Sequence, residues 1–189
     1  MEIKWQDHIH MKNLILLVLS ISFMWSCYNK EKQPLSKKQQ ARHRVDSLEN
    51  LFAQSLQNSE KLDIKLAMYT IQAYEYYAAD YPQDANSPLY LSKAAQNYHN
   101  ILLDYKKAIK IYEHIYNHYP QYNNRSMMLF LQGSAYHELQ DTTNAINKLK
   151  LFIKSYPGHD FADDAEGLIR FMRLSEEELD EFFGKKKMQ

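Results

Sequence analysis

The dipeptide Tyr-Pro occurs three times, at Tyr81-Pro82, Tyr119-Pro120 and Tyr156-Pro157, at intervals of 38 and 37 residues. The twelve residues leading to each Tyr align without a gap, from Thr70, Ala108 and Ala145 respectively. In the second segment Ala108, Ile109, Ile111, Tyr112, Ile115, Tyr116 and Tyr119 recur at helical spacing. In the third, Ala145, Ile146, Leu149, Phe152, Ile153 and Tyr156 do the same. Each segment is therefore an amphipathic helix with one apolar face. Proline lacks the amide proton a helix needs and pushes its predecessor out of the α region, so each helix stops there. A period of this length points to stacked like units, each burying its apolar face on its neighbours.

Each Pro-terminated helix has a partner upstream. Residues 126–138 carry Met128, Leu129, Leu131, Gly133, Ala135 and Tyr136 at helical spacing, and Gln140 to Thr143 make the intervening turn. A glycine within a helix costs about 1 kcal/mol against alanine and needs a packing reason. Gly133 is expected to let the two helices of a hairpin touch. In the preceding unit Ala95 takes its place, and the helix-to-helix turn is one residue longer. The first unit is degenerate, running from Asp46 to Gln57 and then Leu62 to Tyr81. After the third, Ala162, Ala165, Leu168, Ile169 and Met172 form a half-unit. Ser175 to Glu178 then has the form of a capping box, predicting a last short helix to Phe183 that covers the end of the stack.

Gly133, Tyr136, Ala145, Phe152 and Pro157 match the tetratricopeptide consensus in order and spacing. Residues 45–172 resemble that family, most specifically in the third unit. The expected fold class is all-α, a solenoid of about three helical hairpins with a C-terminal capping helix. The Tyr-Pro endings, the long loops after them and the Ala162-Asp163-Asp164-Ala165 run are similar to the barrel-assembly and envelope-coordinating lipoproteins of Gram-negative bacteria. The resemblance implies a protein-binding scaffold in envelope assembly. It also admits a surface-displayed binder of glycan or peptide, whose cue would be an acidic run after a lipidated cysteine. Lys30-Glu31-Lys32 offers one acid only.

The N-terminus fits an envelope address. Met11-Lys12-Asn13 precedes an apolar run from Leu14 to Trp25, too short to span a bilayer comfortably and shaped like a secretory signal. Met11 is the better start. The run ends Ser26-Cys27, and this end resembles a lipobox, in which the cysteine receives a diacylglycerol and cleavage falls before it. The expected organisation is a signal segment over 1–26, a lipidated tether over 27–40, the repeat domain over 41–184 and a basic tail over 185–189. Two or more acyl chains hold a protein firmly, whereas one does not. The location implied is the outer membrane, facing the periplasm.

Composition narrows the chemistry. Lys+Arg and Asp+Glu are each 23, so the clustered basic excess that nucleic acid requires is missing. Cys27 is the only cysteine, which leaves no intramolecular disulfide and no four-cysteine zinc site. There is no G-x-S-x-G, P-loop or G-x-G-x-x-G, so no enzyme activity and no cofactor are expected. His114 and His118 have chelating spacing but lack the H-E-x-x-H context, and are expected on an outer face without metal. Lys185-Lys186-Lys187 is read as a solvated chain end.

In the resembled family the first helix of each hairpin lines the ligand groove. Carried onto this sequence, that implies a partner-binding set of Lys93, Gln96, His99 and Asn100, with Met127, Phe130, Leu131, Ser134 and His137. Leu89, Ser92 and Glu138 fall on the same helices. The third unit lacks the Lys/Arg/Asn clamp by which some members hold a terminal carboxylate, so a helix or extended segment is the better ligand. Among the tyrosines, Tyr74, Tyr77, Tyr112, Tyr119 and Tyr136 share the core register. Tyr69, Tyr76, Tyr90 and Tyr122 fall off it and are expected to be exposed.

Overall fold

A computed structural model describes residues 34–58 and 62–186. The signal segment 1–26, Cys27, most of the tether and Lys187 lie outside the described residues. The described residues hold eight helices and no strand. These are α1 (Lys37–Asn58), α2 (Ile64–Asp80), α3 (Ser87–Asn100), α4 (Tyr105–His118), α5 (Arg125–Glu138), α6 (Thr142–Ser155), α7 (Ala162–Phe171) and α8 (Glu176–Lys186). From α1 to α7 each helix packs on the one before it and the one after it. Helices α1/α2, α3/α4 and α5/α6 are the three hairpins. Helix α1 starts at Lys37, ahead of the Asp46 start read from the sequence, and the last four residues of the 27–40 segment are helical.

Local chemistry sets the helix ends. The second helix of every hairpin starts at an aspartate N-cap: Asp63, Asp104 and Asp141 accept from the amides of Leu66, Lys107 and Asn144. Such a cap satisfies an otherwise orphaned donor at the first turn. Each second helix ends at the predicted tyrosine. The amides of Tyr81, Tyr119 and Tyr156 donate to Tyr77, Ile115 and Phe152. The loops that follow have the same build. In each, two successive three-residue-apart hydrogen bonds run to Tyr81 and Asp84, to Tyr119 and Tyr122, and to Tyr156 and His159. The Tyr-Pro motif thus repeats as a backbone structure as well as a helix stop.

The core is a seam along the stack. One buried cluster runs from Val45 in α1 to Met128 in α5, and a second joins Leu129, Leu149, Phe152, Ala165 and Ile169. Tyr116 packs against both. The glycine expectation is met at Gly133: an added Cβ would lie 2.6 Å from Leu149 Cγ and 2.8 Å from its Cδ2. At the equivalent contact of the preceding hairpin, Ala95 and Tyr112 are both fully buried. The predicted capping box is present, with Ser175 N donating to Glu178 Oε2 at 2.8 Å and Glu178 N to Ser175 Oγ at 3.3 Å. Helix α8 continues to Lys186, beyond the expected Phe183, and Phe183 meets Phe171 edge-on.

The tyrosine assignments need correction. Tyr74, Tyr77 and Tyr112 are buried as their register predicts, but Tyr119 and Tyr136 are only half-buried. Tyr69 and Tyr76 are exposed as expected, whereas Tyr122 is half-buried and Tyr90 is buried. Tyr90 stacks on Tyr74 at 5.7 Å and meets Tyr77 edge-on at 4.8 Å. The reason is that α3 packs on both α2 and α4. A first helix inside the stack buries two stripes, and Tyr90 lies on the second.

Candidate functional site

The first helices of successive hairpins interact across the repeats. Lys93 Nζ in α3 bonds Glu49 Oε1 in α1 at 2.6 Å, and the same carboxylate oxygen accepts from the Tyr74 hydroxyl of α2 at 2.7 Å. His99 in α3 sits edge-on to Tyr105, 5.3 Å between centroids. Burial lowers its pKa below the usual imidazole value, and the charge of Glu138 in α5 opposes that shift. Phe130 in α5 packs between Phe152 and Phe161, and His137 meets Phe171 of α7 edge-on.

The nine groove residues carried over from the resemblance thus divide by task. Lys93, His99, Phe130 and His137 are half-buried in contacts that tie repeats or helices together. Met127 and Leu131 are half-buried against the first core cluster. Ser134 is half-buried, and Gln96 and Asn100 are exposed, with Gln96 donating to Ser92. Leu89 and Glu138 are exposed. Ser92 is buried and unavailable to a partner.

A different concavity lies at the loop edge. A cleft of about 1020 Å³ opens between the first two inter-hairpin loops, floored on one side by the end of α4. Pro82 to Ala85 form one wall and Tyr119 to Asn124 the other, with His114 and His118 between. The two histidine rings stack at 4.4 Å, and His118 Nδ1 lies 3.0 Å from the His114 carbonyl. Burial and the neighbouring imidazole lower the pKa of His114. No group of three His, Cys, Asp or Glu side chains suited to a metal occurs among the described residues. Asp84 in this cleft is already engaged: it pairs with Lys38 and accepts from both amides of Asn86 at 2.8 and 2.9 Å. The Lys38 ammonium foremost, with the Asn86 bonds, lowers its carboxyl to about 2 against an opposing effect of burial.

The sequence reading missed this cleft, because its walls are loops that start a full repeat apart, at Pro82 and Pro120. The signal that could have found it is the pair of homologous Tyr-Pro loops with amide residues in each.

This is the architecture of a helical-hairpin repeat protein. Residues 128–159 match the family model of the tetratricopeptide repeat, so the chain carries a repeat of that family. No curated protein matches the chain. Repeats of this kind commonly bind other proteins, typically as scaffolds without catalysis.

Proposed function

We propose that this chain is a protein-binding scaffold with no reaction of its own, held on the bacterial outer membrane by lipid on Cys27 and acting in envelope assembly. The observation that carries the scaffold reading is the tetratricopeptide repeat at residues 128–159. The first helices support the reading: α3 leaves Gln96 and Asn100 exposed, and α5 carries half-buried Met127, Leu131 and Ser134. A mixed polar and apolar face of this kind suits a helix or extended segment of a partner. The anchor rests on the short apolar run ending Ser26-Cys27 and on its resemblance to a lipobox. No described helix is long and apolar enough to cross a membrane.

Phe130 and His99 support the packing, so changes there would confuse loss of fold with loss of binding. The cleaner test places a photo-crosslinking side chain at exposed Gln96 or Asn100, in cells that express the whole chain, and a control at exposed Tyr76. The same envelope proteins should crosslink from both groove positions and not from Tyr76. Equal capture from all three positions would end the groove assignment. For the anchor, Cys27→Ala should move the chain from the outer-membrane fraction to the soluble periplasm and abolish incorporation of a labelled fatty acid. Unchanged fractionation without any label on the native chain would refute it.

A further inference from the structure

The cleft between the first two inter-hairpin loops borders the start of α3, whose Pro88 and Leu89 line it, and its chemistry is distinctive. Its lining includes no Lys or Arg among the described residues, and its one carboxylate, Asp84, is spent on Lys38 and Asn86. An anionic ligand would find no counter-charge here, and a cation would find no free acid. What remains is neutral: Pro82, Ala85, Pro88, Leu89 and Pro120 give apolar wall, with amides, phenols and imidazoles set into it. The side-chain amides of Gln83, Gln121, Asn123 and Asn124 line the cleft and make no hydrogen bond among the described residues. Each amide offers an acceptor oxygen beside two donors. Tyr119 and Tyr122 add phenols, which also donate and accept.

Ligands differ in what such a set can satisfy. A hydroxyl donates and accepts at one atom, so neighbouring hydroxyls on a ring match side-chain amides that do both. A proline-rich segment offers carbonyl acceptors and would use only the donors. The stacked, exposed rings of His114 and His118 supply a flat face against which the C–H face of a sugar ring can rest. With Nδ1 of His118 turned to the His114 carbonyl, a neutral ring leaves Nε2 as an acceptor. The volume of about 1020 Å³ lies at the top of the usual small-molecule range and leaves room for several sugar rings.

We infer that this cleft binds a neutral, hydroxyl-rich ligand, a short uncharged oligosaccharide, held by the loop amides and stacked on the His114–His118 pair. The test is calorimetry on the full chain in a detergent that contains no sugar. The probes are maltohexaose, cellohexaose, laminarihexaose and xylohexaose, with hexagalacturonate as the charged comparator and a proline-only peptide as competitor. At least one neutral hexasaccharide should bind. His118→Ala and Asn123→Ala, both at exposed positions, should each weaken it about tenfold, the loss of one good polar or ring contact. Gln96→Ala, on the first-helix groove, should leave it unchanged. Circular dichroism on each variant checks that helix content is retained, and Gln121→Ala gives a second reading of the amide contribution. Failure of all four neutral sugars to bind overturns the inference. So does preference for hexagalacturonate or the peptide, or neutral-sugar binding indifferent to all three cleft variants.

Discussion

At the scale of single residues, Gly133 and Gly167, each inside a helix, make opposite demands. A methyl at Gly133 would fall 2.6 Å from the Cγ of Leu149, whose side chain is fully buried and cannot swing aside. Alanine favours the helix by about 1 kcal/mol, but overpacking a closed core costs about 1–3 kcal/mol. Gly133→Ala is therefore expected to lower the melting temperature, as thermal unfolding followed by circular dichroism would record. At Gly167 in α7 the nearest neighbour of an added Cβ is Arg170 Nη2 at 4.0 Å. There the helix preference acts alone, and Gly167→Ala should stabilise by about 0.5–1 kcal/mol. Equal effects at the two sites would mean that the hairpin contact at Gly133 is looser than described. That contact was legible in the sequence because a glycine in a helix stands out as a cost without a local benefit. Tyr90 was not legible, since counting one apolar stripe per helix cannot show that an inner helix buries two.

At the scale of elements, local signals differ in how loudly they appear in a sequence. The Tyr-Pro ends and the capping box at Ser175 were readable because proline and the Ser-x-x-Glu spacing are rare, strong marks. The aspartate caps at Asp63, Asp104 and Asp141 went unread: three residues on from the first two stand Leu66 and Lys107, and only the third has a polar amide there, Asn144, in place of the Glu or Gln of a capping box. A lone capping aspartate contributes no pattern beyond its own turn. Asp104→Ala should cost about 1 kcal/mol in denaturant unfolding, and no change would show that the α4 start is held by packing alone. The first inter-hairpin loop adds a pH dependence. Asp84 is held at about 2 against its ordinary 3.8. A depressed carboxyl contributes stability that is complete above the unfolded value and is lost as pH falls through the folded one. Melting temperature should therefore drop from near pH 4 towards pH 2, and Asp84→Asn should flatten that decline. An unchanged acid slope in the variant would remove the Lys38–Asp84 pair as its cause.

At the scale of the whole molecule, the stack was legible and the cleft was not, for one physical reason. Neighbour-on-neighbour packing follows from the period alone, whereas a cleft needs two loops from different repeats to lie side by side, and nothing local encodes that. The same neighbour-only packing shapes how stability is distributed. In such arrays it is close to a sum of unit and interface contributions, so damage need not spread evenly. Phe152 is fully buried in the second cluster, against Phe130, Tyr156 and His159. That cluster spans α5 to α7, while the first runs from α1 to α5, and the two meet at Tyr116 and on adjacent residues of α5. Phe152→Ala should cost about 3–5 kcal/mol. Native-state hydrogen exchange should show protection lost first in α6 and α7, then α5, with α2 and α3 retained. The half-buried Ile146 should report the same order with a smaller loss when cut to alanine. If protection instead fell in equal measure from α1 to α7, the two clusters would be one cooperative core, and the hairpins would not be separable units of stability.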